Sequence, residues 1–477
     1  MKVVKQHLYM RQAVFLLNVL PCLLLTLLLA ACQPTPMEDV VVNKGDGVYE
    51  QKLSEAQATA APQNGQRTEP PAATPVPCLT EPHWKGEIAF RYLTIDIDVD
   101  VEAPEAGLFP VYAVEGADFA DGDARVAQVV DCLLEDVVGV RPGGNTKEEV
   151  YRLLNCMLEG TYDPETDSMI PPDEEEARWI IEEMTKEAAA APEADSYAPT
   201  DRTRPAQIDT RWAYRLANGE EWEVWLSADS LSVTREPCGN VQPESWVATG
   251  NAVDGEPPHP LEHVELTQAE AEAIVADFLE RADIGTFGIS HIEKARTVRS
   301  YSGETISEGW RIKCARVCGD CRPFASRGYS EDALRFANDD DAYSPELPPE
   351  NMLIYVDGGG IRAFSWSHPL RILEQVAETV ELLPYEQVQE RICQTIRSAL
   401  AWQGDRPPGT TLSDGDVQRV VLSTCCIPQK DAPGRFYLTP AWFVLFGFDI
   451  DKPYAAMPQA IAINAVDGSR IAIEKVH

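Results

Sequence analysis

Positive charge is scarce in this 477-residue chain: 40 Lys and Arg stand against 77 Asp and Glu, leaving a net charge of −37. Phosphate contacts need Lys and Arg, so the balance argues against nucleic acid as a partner and favours cationic ones. Histidine is scarcer still, with seven residues scattered along the chain, so a histidine-based active site has no nucleus in the sequence. The motifs G-x-S-x-G, H-E-x-x-H and S-x-x-K and the kinase set are missing as well. Such an absence is weak evidence, because catalytic pairs can converge only in the fold. Between Gln33 and Pro77 it is large apolar residues that are few, among many Pro, Ala, Gln, Thr and Glu. Such a segment cannot bury enough surface to offset its ordering entropy and is expected to be a tether with a reach of roughly 40 Å.

What is present is clearest at the N-terminus. Lys2, Lys5 and Arg11 precede an apolar run, Ala13 to Ala30, that closes on Leu29-Ala30-Ala31-Cys32. This is a lipoprotein signal peptide with its lipobox, and Cys32 is the expected lipidation site. The chain is therefore expected on the extracellular face of a cytoplasmic membrane, held to the lipid bilayer through Cys32.

The remaining chain reads as α+β. Leu93, Ile95, Ile97, Val99 and Val101 alternate with polar residues as in a half-buried strand. A helix is expected over Val126 to Val137 with Gly139 to stop it, a second behind the capping box Thr146-x-x-Glu149, and a third after Pro171-Pro172. Asn218-Gly219 between two apolar runs marks a hairpin. Beyond the Pro-rich run 257–260 one pattern occurs twice. A helix opened by Thr267-x-x-Glu270, then strands, ends in a turn at Val356-Asp357-Gly358; a helix after Pro384, then strands, ends in a turn at Val466-Asp467-Gly468. The expected architecture is antiparallel meanders each packed with a helix, the C-terminal half being a duplicated helix plus four-stranded unit. The expected divisions are 1–31 signal peptide, 32–84 disordered tether, 85–250 N-terminal α+β domain, 261–382 first repeat and 383–477 second repeat.

The helix, the strands and the terminal Asn464-Ala465-Val466-Asp467-Gly468 hairpin resemble PepSY-like modules of secreted Gram-positive proteins. Cys32-Gln33-Pro34-Thr35-Pro36 with Val40-Val41-Val42-Asn43-Lys44 resembles a family of uncharacterised clostridial cell-surface lipoproteins. The first resemblance implies a module that binds or restrains proteases or serves a sensory role, and it brings no catalytic residue.

Twelve cysteines include Cys314, Cys318 and Cys321 in C-x3-C-x2-C spacing. That spacing also occurs in iron–sulfur enzymes, but those are reduced cytosolic proteins. Cys318 and Cys321 are the disulfide candidates, and Cys314 is expected as a buried apolar residue. A metal among Cys314, Cys318 and Cys321 is the weaker alternative: a zinc site using Cys318 and Cys321 needs two more ligands, which Cys393, Cys425 or Cys426 could supply only if the repeats face each other. His259-Pro260-Leu261-Glu262-His263 matches an inverted zincin order but is crowded by prolines. Asp96, Asp98 and Asp100 lack the glycine of a calcium loop and are expected on a solvated strand face. Gly143 and Gly144 read as a turn before the Thr146 cap. No cofactor, metal or catalytic residue is assigned. The expected function is a non-catalytic protein- or peptide-binding lipoprotein; the alternatives are a secreted metal- or thiol-dependent enzyme using the 314–321 cysteines and a small-molecule-binding lipoprotein.

Overall fold

The computed structural model describes residues 47–60, 74–91, 93–163, 168–203, 207–236, 240–243, 261, 263–298, 304–325, 342–344, 346–404, 414–448 and 459–473. Cys32 and the His259 and Glu262 of the zincin-like order lie outside them. Among the described residues no helix is long and apolar enough to cross a membrane.

The first element among the described residues is a helix, α1 (Val48–Ala60), inside the stretch expected to be disordered. Its apolar residues are few, but Tyr49 and Leu53 lie one turn apart and both are buried. Tyr49 packs against Tyr343 and Tyr437, and Lys52 Nζ donates to Val466 O at 2.9 Å. The tether reading over 32–84 is thereby corrected at the described residues: α1 docks, β1 (Val76–Pro77) lies before the expected domain start, and β2 (His83–Ala89) runs across it. Average composition conceals two anchoring side chains at helical spacing.

Next come β3 (Thr94–Glu102), β4 (Ala106–Gly107) and β5 (Val111–Gly116). The first helix of this region, α2 (Ala124–Leu133), is capped by Asp123 and stops short of Val137. Asp136 adopts a left-handed φ of 55° and turns the chain, so Val137 opens β6 (Val137–Pro142) instead of closing the helix. The Thr146–Glu149 capping box opens α3 (Lys147–Glu159) as expected. After β7 (Thr161–Asp163) and β8 (Ser168–Ile170), Asp173 caps α4 (Glu174–Ala190). Strand β9 (Ala198–Pro199) leads to the hairpin of β10 (Thr210–Leu216) and β11 (Glu221–Leu226), in which Gly219 takes the left-handed conformation a tight turn requires. Strands β12 (Ser230–Arg235) and β13 (Asn240–Pro243) end this part.

The duplicated pattern is present as two helix-plus-meander units. The first is α5 (Gln268–Ala282), β14 (Phe287–Val298), β15 (Thr305–Arg316), β16 (Asn351–Asp357) and β17 (Gly360–Ser367), followed by β18 (Leu370–Ala377). The second is α6 (Tyr385–Gly404), β19 (Gly415–Pro428), β20 (Phe436–Phe448), β21 (Gln459–Asn464) and β22 (Arg470–Ile471). The fold is α+β, with antiparallel meanders each packed with a helix.

Each unit's sheet is completed by strands from the N-terminal part. The ten-stranded sheet runs β13-β14-β15-β16-β17-β12-β11-β10-β6-β9, so β12 joins onto β17. The eight-stranded sheet runs β18-β5-β20-β19-β3-β2, with β21 on β20 and β22 on β21. Here β3 lies parallel to β19, Ile97 opposite Val417. A separate domain over 85–250 is therefore corrected: its long strands are divided between the two sheets. Helices α2 and α5 cover the first sheet, burying Val126, Val129, Val275 and Phe278 against Ile312, Phe364 and Trp366. Helix α6 buries Val388, Ile392 and Ile396 against Val420, Phe443 and Ile461 of the second. Full burial of such side chains stabilises by roughly 1.5–3 kcal/mol each. Helices α3 and α4 pack through their own small cluster around Val150, Ile180 and Met184.

Candidate functional site

A cleft of about 690 Å³ opens where α2, α5, the β10–β11 hairpin and the β16–β17 turn meet. Its floor is apolar because it belongs to the first sheet's core: Leu216 and Trp222 are buried, and Leu133, Ile274 and Ile361 pack beside them. Its walls carry Glu135, Asp136, Glu220 and Asp277 against Arg235 and Arg281. The left-handed turn at Asp136 brings the first two carboxylates to the rim, and Gly359, packed on Arg235, and Gly360, at φ 95°, line its edge.

The two arginines are already committed to carboxylates. Arg281 Nε donates to Asp277 Oδ2 at 2.9 Å, with Glu135 Oε1 at 3.6 Å from its Nη1. Arg235, 9% exposed, donates to Asp357 Oδ1 at 2.8 Å, to Gly359 O at 3.0 Å and to Glu220 Oε1 at 3.4 Å. Arg362 binds the other Asp357 oxygen, and the Gly359 N–H donates to Asp357 Oδ1 at 2.9 Å. Burial alone would raise the Asp357 carboxyl, but the Arg362 guanidinium, the Gly359 N–H and Arg235 together hold it below its ordinary value. Pairing in this way leaves the rim with a surplus of negative charge over a floor of apolar and aromatic surface. That arrangement suits a ligand with a cationic head and an apolar stem.

Neither a family model nor a curated protein matches the chain. A solved structure of an uncharacterised protein from Eubacterium rectale ATCC 33656 is similar to 89% of this chain and 99% of that chain, at 10% identity and a TM-score of 0.39.

None of the candidate site residues singled out in the sequence lines this cleft. Cys314 is buried in the first sheet's core beside Ile312, as expected of a small apolar residue. Cys318 and Cys321 are buried free thiols, and their side chains sit in different clusters. The bridge expected between them is not formed in this structure. Among the described residues no group of three or more His, Cys, Asp and Glu is arranged to hold a metal. Burial pushes the Cys314 thiol up to about 12. Asp96, Asp98 and Asp100 occupy an exposed strand face, where His83 bridges Asp98 at 2.9 Å and Asp100 at 2.8 Å and Lys85 pairs with Asp98 at 2.9 Å. Gly143 and Gly144 form the turn before Thr146, and the Gly144 N–H donates to Glu223. The cleft residues come from separate segments, and the signals near them in the sequence are the Asn218-Gly219 hairpin and the Asp357-Gly358 turn.

Proposed function

We propose that this chain is a membrane-anchored extracellular lipoprotein of a Gram-positive cell envelope, tied to the bilayer through Cys32, that binds a cationic segment of a protein or peptide in the cleft. The observation that carries the binding reading is the excess of four rim carboxylates, Glu135, Asp136, Glu220 and Asp277, over two arginines, Arg235 and Arg281, above an apolar floor containing Trp222. A lysine or arginine side chain lays its methylenes on such a floor and its charge at such a rim. The acidity of the whole chain adds long-range steering of the same sign. The PepSY-like resemblance points to the same class of role, a protein partner at the cell surface.

Anisotropy of a labelled peptide alternating Lys and Leu, against its Glu and Leu counterpart, tests the binding. Saturable binding of the first and none of the second supports the reading; equal binding of both, or of neither, contradicts it. The anchor is tested separately by palmitate labelling, which Cys32→Ala abolishes if Cys32 is lipidated and leaves unchanged if it is not. The cleft volume also falls within the range of small-molecule sites, and a free amine such as lysine competing as well as the peptide favours that second reading.

A further inference from the structure

We propose that the Cys318–Cys321 turn is the branch point of two disulfides that staple the two sheets together, Cys318 to Cys426 and Cys321 to Cys78. The four thiols come from three segments far apart in sequence and meet where the chain leaving β15 crosses onto the eight-stranded sheet. The crossing is held firmly. The Cys321 N–H closes the turn on Cys318 O at 3.2 Å, and the Arg322 N–H donates to Leu422 O of β19 at 2.8 Å. The Asp320 N–H donates to Leu108 O at 2.9 Å while Asp320 Oδ2 accepts from the Leu108 N–H at 2.7 Å. Gly319, at φ 59°, sits so close to Leu108 that a Cβ there would lie 2.2 Å from its carbonyl oxygen.

Cys318 and Cys321, three residues apart on this fixed turn, pack into different apolar clusters. Cys318 enters a small cluster with Val114, Phe436 and Leu438, against which Cys426 packs. Strand register agrees: Cys426 lies opposite Leu438 on β20, and Leu438 opposite Tyr112 on β5, so these side chains share the sheet face that Cys318 covers. Cys321 enters the main core, which also holds Cys78. Cys78 is anchored beside the same turn, since its N–H donates to Glu105 O at 2.8 Å, next to β4, and Gly107 of β4 abuts Asp320. A single buried cysteine is ordinary core filling. Four that gather about a pinned turn, Cys426 near Cys318 and Cys78 near Cys321, point to a disulfide framework.

Formation of each bridge consumes one disulfide oxidant. With glutathione disulfide, two protein S–H bonds and the glutathione S–S bond break, one protein S–S bond forms, and two molecules of reduced glutathione leave with the two protons. Burial pushes the Cys78 thiol up to about 12 and the Cys318 thiol up to about 11, so thiolate is scarce in the folded chain and the bridges form during folding. The inference stands apart from the cleft and its ligand.

The whole chain, reduced and denatured, is refolded with glutathione disulfide, alkylated and analysed by peptide mass mapping. The expected result is a loss of four hydrogens, with Cys318 linked to Cys426 and Cys78 to Cys321, and a Tm that falls by at least about 5 °C on reduction. Cys318→Ala then retains the Cys78 link alone, and Cys321→Ala the Cys426 link alone. A bridge within the turn, between Cys318 and Cys321, overturns the proposal. So does complete alkylation of all four thiols in chain that has regained its native circular dichroism.

Discussion

At the residue scale the controlling group of the cleft wall is Asp357. Its two oxygens hold Arg235 and Arg362 and its own turn through Gly359, with 5% of the side chain exposed. Removing one partner of a buried pair strands the other without water, which costs more than the pair itself contributes. Asp357→Ala is therefore expected to lower stability by about 3–5 kcal/mol in urea unfolding, whereas Asp100→Asn on the exposed strand face stays within about 0.5 kcal/mol. Because the folded Asp357 carboxyl lies below its unfolded value, the stability it contributes is present above the ordinary carboxylate range and is lost as pH falls through the lower folded value. His83 behaves in the opposite sense. The Asp100 hydrogen bond, then that to Asp98, raises its imidazole above the ordinary value. Its contribution is complete below about pH 6.5 and is lost as pH rises through the raised value. An NMR titration should place the His83 midpoint above that of an unpaired histidine and return it downward in Asp100→Asn.

Single elements show which signals a sequence carries. The Thr146 and Thr267 capping boxes, the Asn218-Gly219 hairpin and the period-2 alternation of β3 are local devices, and each forms where its residues stand. Strands β5 and β18 have no such local mark. In Val111–Gly116 both faces are largely covered, so its apolar residues do not alternate, and the middle of β18 is exposed along an edge. Helix α1 is the reverse case, a polar segment held by two side chains. Tyr49→Ala is expected to cost about 3 kcal/mol, since it removes an aromatic that is 1% exposed between Tyr343 and Tyr437. A chain beginning at Pro82 should accordingly melt several degrees below one that includes α1; equal melting temperatures would show the helix to be undocked. The cleft was illegible for a related reason: Glu135, Glu220, Arg235, Asp277 and Asp357 become neighbours only through strand order.

For the whole molecule the decisive feature is that the two meanders share the N-terminal strands. Residues 261–477 contain both units, and the repeated pattern leads one to expect that they fold by themselves. In the structure β17 needs β12, β19 needs β3, and β18 and β20 need β5. Cutting before Leu261 leaves those edges open, so the fragment is expected to aggregate while a chain starting at residue 47 stays monomeric in size-exclusion chromatography. The same sharing builds the cleft, whose walls come from the N-terminal part and from the first unit together. The rim of that cleft favours positive charge. Calorimetric titration of the Lys and Leu peptide into the whole chain and into its Glu135→Gln, Asp277→Asn variant, at low and at physiological salt, tests that preference most directly. Affinity is expected to fall with salt and to weaken about fivefold or more in the variant; affinity unchanged by both salt and substitution would overturn the cationic reading of the cleft.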